Sequence, residues 1–155
     1  MAGYAAGTTV SVDRSVAEIK KLLTRYTAKG FAYAEEPHQH IIYFEAHDRR
    51  VKFTISLPKL ETYQKLDRYP YRERPIKQQL ALRDAEIRRL WRVLVLRIKA
   101  KLEAVDNGAL FEEEFFSHVV MPNNRTAYEW AKPMVDQAYT SGTMPQLPQF
   151  TGDRP

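Results

Sequence analysis

Residues 50–57 read Arg-Val-Lys-Phe-Thr-Ile-Ser-Leu, and Pro58 follows. Val51, Phe53, Ile55 and Leu57 alternate with Arg50, Lys52, Thr54 and Ser56, the period of a β-strand whose two faces differ in polarity. One face must be buried and the other must meet water, so this stretch commits the chain to a sheet covered on one side. Proline cannot donate to a ladder, and Pro58 ends the strand. Two strand candidates precede it, over 31–35 and 40–46, with turns at Pro37-His38-Gln39 and His47-Asp48-Arg49. In the second of these, Ile42 and Phe44 are expected in the core, with Ile41 and Tyr43 pointing outward. Tyr43 beside Arg50 and Lys52 on a wet sheet face would make a platform on which bases stack.

The segments on either side follow helical spacing. Thr8 to Val12 alternates and predicts a short first strand. Ser15-Val16-Ala17-Glu18 then has the form of a capping box, and Val16, Ile19, Leu22, Leu23 and Tyr26 form an apolar stripe that Lys29-Gly30 stops. From Pro75 the chain reads as helix to about Val105, roughly 45 Å long at 1.5 Å per residue, with a break near Arg83 or Asp84 as an option. Leu90, Trp91, Leu94, Val95, Ile98, Leu102 and Val105 form its buried stripe. Val93 and Leu96 widen that stripe around most of the circumference, so the helix needs a second partner beyond the sheet.

Phe111, Phe115, Phe116, Val119 and Val120 predict a short amphipathic helix, with Glu112, Glu113 and Glu114 on its first turn. Thr126-Ala127-Tyr128-Glu129 repeats the capping box and opens a last helix through Trp130, Met134, Val135 and Ala138, which Pro133 interrupts and Ser141-Gly142 ends. Core packing is expected for both Trp91 and Trp130. The resulting order is α+β: a β-α-β-β-β antiparallel sheet followed by a long helix and two shorter C-terminal helices. A single domain over 1–142 carries an extended tail at 143–155.

The stretches Trp91-Arg92-Val93-Leu94-Val95-Leu96-Arg97-Ile98-Lys99-Ala100-Lys101-Leu102-Glu103-Ala104-Val105 and Phe111-Glu112-Glu113-Glu114-Phe115 resemble a family of uncharacterised proteins encoded by bacteriophages and mobile elements. Met121-Pro122 and Thr126-Ala127-Tyr128-Glu129-Trp130 are similar to that family's next segment. The resemblance implies a phage-related origin and carries no activity or catalytic residue with it.

Charge is the main functional clue. Between residues 49 and 101, sixteen lysines and arginines stand against five acids, a net charge of +11. From 103 to 153, two basic residues face eight acids, a net −6, so the chain's overall +5 hides opposite halves. Positive charge interleaved with tyrosine points to a polyanion with exposed bases: phosphates take the cations and unpaired bases stack on rings. The expected contact residues are Tyr43, Arg50 and Lys52 on the sheet. They continue as Lys59, Tyr63, Lys65, Arg68, Tyr69, Tyr71, Arg72 and Arg74 in the 59–74 connection, then Arg88, Arg89 and Arg92 on the long helix. This reading requires all of them to converge on one continuous positive track. It makes the protein a non-enzymatic single-stranded nucleic-acid binder, with DNA favoured over RNA, and a homo-oligomer. The alternative is a protein-interaction module, either an inhibitor of a host system or a subunit of a larger assembly.

Other chemistry finds little support. With no cysteine there is no disulfide, thiolate metal site or cysteine nucleophile, which fits a reducing cytoplasm. The serines lack a nucleophile-elbow context and the six glycines are scattered, so no phosphate loop forms. His38 and His40 beside Glu35 and Glu36, or Glu114 with His118 at helical i, i+4 spacing, are arrangements that metal ligands use. A polar hairpin tip and an ordinary acidic first turn are the preferred readings of them. No cofactor, metal or small-molecule substrate is expected, and a metal-dependent nuclease on the acidic helix is a distant third option. The N-terminus lacks a signal-peptide pattern, and the longest apolar run, Val93–Leu96, is far too short to span a bilayer.

Overall fold

The computed structural model describes residues 3–145. A 14-residue helix, α1 (Val12–Arg25), leads into strands β1 (Lys29–Glu35), β2 (Gln39–Ala46) and β3 (Arg49–Ser56). The 31-residue helix α2 (Ile76–Asp106) follows, then α3 (Phe111–Phe115), a 3-10 turn (Phe116–His118) and α4 (Ala127–Ser141). This is the α+β architecture that the alternating and helical patterns imply, with one strand fewer.

The sheet is antiparallel in the order β1-β2-β3. Its central hairpin turns on His47 and Asp48, both at positive φ (50° and 58°), so the two-residue loop matches the twist of its strands. His47 tolerates this left-handed conformation while its ring stacks on Phe111, centroids 4.4 Å apart. Every alternate side chain of the best-patterned strand faces as expected: Val51, Phe53 and Ile55 are buried with Ile42 and Phe44 against α1 and α2. The opposite face carries Arg50, Lys52, Thr54 and Ser56, with Tyr43 beside them. Ile41 lies on that outer face yet is only 4% exposed, because it sits mid-sheet between Ala34 and Thr54, its partners on β1 and β3.

Trp91 seats α2 on the sheet. It is fully buried, and its indole N–H donates to His40 Nδ1 at 3.0 Å, which satisfies a donor that would otherwise be stranded. The Tyr33 ring meets it edge-on, centroids 5.4 Å apart. Ile87, Leu94, Val95, Ile98 and Leu102 continue the buried side. The helix runs unbroken through Arg83 and Asp84. Its first turns overhang the end of the sheet, and the 3-10 turn at Leu60–Tyr63 and the loop after it pack there.

Several expectations need correcting. Residues 8–12 form no strand. Ser11, not Ser15, caps α1, its Oγ accepting from the Arg14 N–H at 3.2 Å, and Thr8 Oγ1 takes the Val10 N–H at 3.2 Å. Short hydroxyl side chains there offer the backbone an alternative to a ladder. Ser15 lies one turn inside the helix, buried. Helix α1 ends at Arg25, so Lys29 and Gly30 open β1 instead, with Gly30 at φ +60° where the register slips by a bulge. The helix opened by Phe111 stops at Phe115 and passes into the 3-10 turn that ends at His118, short of Val119 and Val120. Val119 bridges Val51, and the Val120 N–H donates to the Arg50 carbonyl at 2.8 Å, closing part of β3's free edge. Phe116 is left 57% exposed.

The capping box at Thr126 and Glu129 forms as expected, and Gly142 ends α4 in the left-handed conformation. Trp130, however, is 49% exposed rather than core. Residues 130 and 135 are five apart, about 140° around a helix, so they cannot share one stripe. The tail beyond residue 145 lies outside the described residues.

Replacing Trp91 by Phe keeps most of the ring's packing but leaves His40 Nδ1 without its donor. Unfolding in urea is expected to show a loss of about 1–3 kcal/mol with an unchanged m-value.

Candidate nucleic-acid interface

The cations of residues 49–101 do not converge on one continuous track. Sheet geometry divides them: α2 lies against the buried face, while Arg50 and Lys52 stand on the opposite one. They fall into three groups that differ in what already holds them.

The first group lies on the open sheet face. Tyr43 is half-buried, with the Arg50 guanidinium 5.7 Å and the Lys52 ammonium 5.9 Å from its ring centroid. Cross-strand pairing puts Tyr43 opposite Lys52, and Glu45 opposite Arg50. Its direct neighbours across the sheet are Ala32 on β1 and Lys52 on β3, and Ile41 and Glu45 flank it along β2. Among the described residues, neither cation has a salt-bridge partner.

The second group is the 59–74 connection, which is more ordered than its sequence suggests. Lys65 and Glu73 pair across it in a bridge and at 3.7 Å as ions. The Arg74 N–H donates to the Gln64 carbonyl at 2.7 Å, and the Arg74 guanidinium donates to the Tyr63 carbonyl at 2.8 Å. Tyr63 turns inward beside Arg83, Glu86 and Arg89, where burial first, and then Glu86, raises its hydroxyl above the usual range. Lys65, Arg74 and Tyr63 are therefore structural. Tyr69 and Tyr71 remain exposed, 45% and 74%. Their rings meet edge-on at 6.0 Å, with Arg72 5.8 Å over Tyr69. Lys59 and Arg68 are exposed and, among the described residues, form no salt bridge.

The third group, on α2, fastens the fold. Arg92 donates to Glu18 at 2.6 Å and to the Ser15 hydroxyl at 3.4 Å, tying α2 to α1. Arg89 grips Glu86 through two hydrogen bonds of 2.8 and 2.6 Å, and that contact holds the Glu86 carboxyl below its ordinary range. Arg88 Nε reaches the Thr8 carbonyl at 3.4 Å. Two further cations are taken by the acidic third: Arg49 by Glu112 at 3.2 Å, and Lys101 by the Glu114 carbonyl at 2.7 Å. Fourteen positions were expected in the interface. The geometry leaves Tyr43, Arg50 and Lys52 in one patch, Arg68, Tyr69, Tyr71 and Arg72 in another, and Lys59 exposed ahead of the Leu60–Tyr63 turn. The Ser15-Glu18-Arg92 lock was not legible, because it joins residues more than seventy positions apart.

The two histidine arrangements are occupied by packing. His40 Nδ1 takes the Trp91 N–H, and burial lowers its pKa. His118 lies flat on Phe53, centroids 3.9 Å apart, with Arg97 Nη2 3.3 Å from its Nε2. Among the described residues, no three His, Asp or Glu side chains come together as metal ligands would, and no helix is long and apolar enough to cross a membrane. No protein-family model matches the chain, and comparisons with curated proteins and with solved structures found no match.

Burial first, and then Arg97, pushes the His118 pKa from 6.5 down to about 4. The unfolded chain therefore binds the proton first as pH falls. This contribution to stability is intact above the ordinary histidine range and is lost between about pH 6.5 and 4. His118→Phe keeps the stacking and removes the titration. Its thermal midpoint is expected to fall less steeply than that of the wild type across that window.

Proposed function

We propose that this chain is a non-enzymatic single-stranded nucleic-acid-binding protein, DNA ahead of RNA, of the phage or mobile-element kind that its 91–105 segment resembles. Its interface is narrower than the charge count implies. The observation that carries the reading is Tyr43 on the uncovered sheet face, with Arg50 and Lys52 within 6 Å of its ring. An aromatic ring with the small Ala32 on one side and two cations on the other lets a base stack while its phosphates meet positive charge. Bases in a duplex present no free face to such a ring, so the preference is for single strands. Tyr69, Tyr71, Arg68 and Arg72 form a second contact at the end of the molecule where the overhanging turns of α2 begin. Tyr43 lies four residues into β2, about 13 Å from the sheet end nearest that loop. A strand crossing the sheet would pass from one patch to the other.

One observation favours a second reading, a protein-interaction module serving as an inhibitor of a host system or a subunit of a larger assembly. Among the described residues, helix α4 buries Ala127 and leaves Tyr128, Trp130, Val135 and Tyr139 between 49% and 88% exposed.

Fluorescence anisotropy with labelled oligo-dT at two salt concentrations tests the first reading. Tyr43→Ala is expected to weaken binding about tenfold, the loss of one stacked base. Arg50→Ala and Lys52→Ala should each flatten the log–log salt dependence by about 0.7. Arg92→Gln should lower thermal stability without changing the affinity of the folded protein. Absence of binding even at low salt rejects the nucleic-acid reading.

A further inference from the structure

A cleft opens where α2, β2 and the start of α1 meet. It encloses about 410 Å³, within the roughly 300–1,000 Å³ that small-molecule sites occupy. Val12, Leu57 and Ile87 supply apolar wall, and His40, Arg83 and Arg88 bring polar groups to it. The His40 tautomer is fixed by its partner. An indole nitrogen only donates, so the Trp91 bond makes His40 Nδ1 the acceptor. The neutral ring then carries its proton on Nε2, and burial, which lowers the pKa of this histidine, keeps it neutral at physiological pH. Among the described residues Nε2 has no hydrogen-bond partner, and no buried side-chain nitrogen or oxygen lacks one. This N–H therefore reaches solvent, and the cleft is lined by its ring.

The two arginines are anchored through one atom each. Arg83 Nε donates to the Pro58 carbonyl at 2.9 Å, and Arg88 Nε to the Thr8 carbonyl at 3.4 Å. Both are half-buried. Among the described residues neither is in a salt bridge, and their terminal Nη groups have no partner. A guanidinium held through Nε presents its remaining N–H groups as a rigid fork. Ser11 lines the cleft as well. Its Oγ accepts from the Arg14 N–H, which leaves its own proton to donate, and the α1 terminus that it caps favours a nearby anion. The acid in the lining is Asp84, which is exposed, so two positive charges stand against one negative.

We infer that this cleft is a binding site for a phosphate monoester, held by Arg83, Arg88 and the Nε2–H of His40. The donors come from separate elements, and a tetrahedral group with three terminal oxygens can meet all of them, whereas a carboxylate offers two oxygens in one plane. Arginine forks suit phosphate, and the apolar wall suits the organic part of the ester. Because the imidazole donates while neutral, binding leaves the Trp91 hydrogen bond in place. Two sources carry this chemistry: the 5′-phosphate end of a single strand, and a free sugar phosphate. His40 faces the covered side of the sheet and Tyr43 the open one, so the site goes beyond the nucleic-acid reading and does not rest on it.

Calorimetric titration of the full chain with inorganic phosphate at low ionic strength provides the test, and saturable binding is expected. Arg83→Gln and Arg88→Gln should each weaken it about tenfold, Asp84→Asn should tighten it, and Tyr43→Ala should leave it unchanged. A second readout needs no variant. In nitrogen-resolved NMR of the histidine rings, the His40 Nε2 signal should move as phosphate is added while Nδ1 keeps its hydrogen bond. Titrations with 5′-phosphorylated and 5′-hydroxyl oligo-dT, and with ribose 5-phosphate, separate the sources. A preference for the phosphorylated strand that Arg88→Gln erases supports the site with a strand end as its ligand. Equal strand affinities with saturable ribose 5-phosphate binding support it with a free ester. Absence of saturable phosphate binding, or binding that neither arginine variant weakens and that leaves the His40 signal in place, overturns it. Failure of unphosphorylated oligo-dT to bind bears on the nucleic-acid reading alone.

Discussion

An indole ring sealed from water must find an acceptor for its N–H, and in this fold the acceptor is an imidazole nitrogen on the central strand. The Trp91–His40 hydrogen bond fixes where along the sheet the long helix sits. Moving α2 by one turn in either direction would strand that donor in the core, at a cost of about 1–3 kcal/mol against a domain stability of about 5–15 kcal/mol. With that register set, the first turns of α2 overhang one end of the sheet, and the 59–74 connection folds onto them. The other end of α2 comes to lie beside α3. The position of the 68–72 patch follows from this contact, whereas that of Tyr43 is set by the pairing of β2 with β3.

Charge in this protein serves two purposes that local sequence cannot separate. Arg92, Arg89 and Arg88 are buried enough that their partners are structural: a carboxylate on α1, one on the same helix, and a carbonyl ahead of α1. Breaking such pairs leaves a charge poorly solvated, which makes them costly to remove even where their net contribution is small. Among the described residues, Arg50, Lys52, Arg68 and Arg72 have no such partner, and they stand on surfaces that also hold tyrosines. A charge on the surface and unpaired is available to a ligand, and this sorting reduces fourteen expected positions to eight.

The alternation in β3 and the apolar stripe of α2 were legible because each repeats over eight residues or more and each buries one side against the other. The short alternation at 8–12 failed because Ser11 and Thr8 bond to nearby backbone N–H groups, and a five-residue pattern cannot overrule that. The exposure of Trp130 was missed because the apolar residues of α4 were read as one stripe, when its alanines separate Trp130 from Val135. The ordered 59–74 connection was hidden for a different reason: its pairing of Lys65 with Glu73 has no periodic signature. Tyr63 and Tyr69 look alike in sequence, and only the proximity of Glu86 and Arg89 shows that one is packed and the other free.

The short pairing of Val119 and Val120 with β3 bears on how the protein behaves when concentrated. A three-stranded sheet has two rims, and each presents backbone groups that a foreign strand can recruit. Residues 119–120 occupy part of one rim with the chain's own backbone. The bulge at Gly30 twists the other away from flat pairing. The molecule is thereby discouraged from stacking into fibrils, and contacts between copies are steered toward side-chain surfaces.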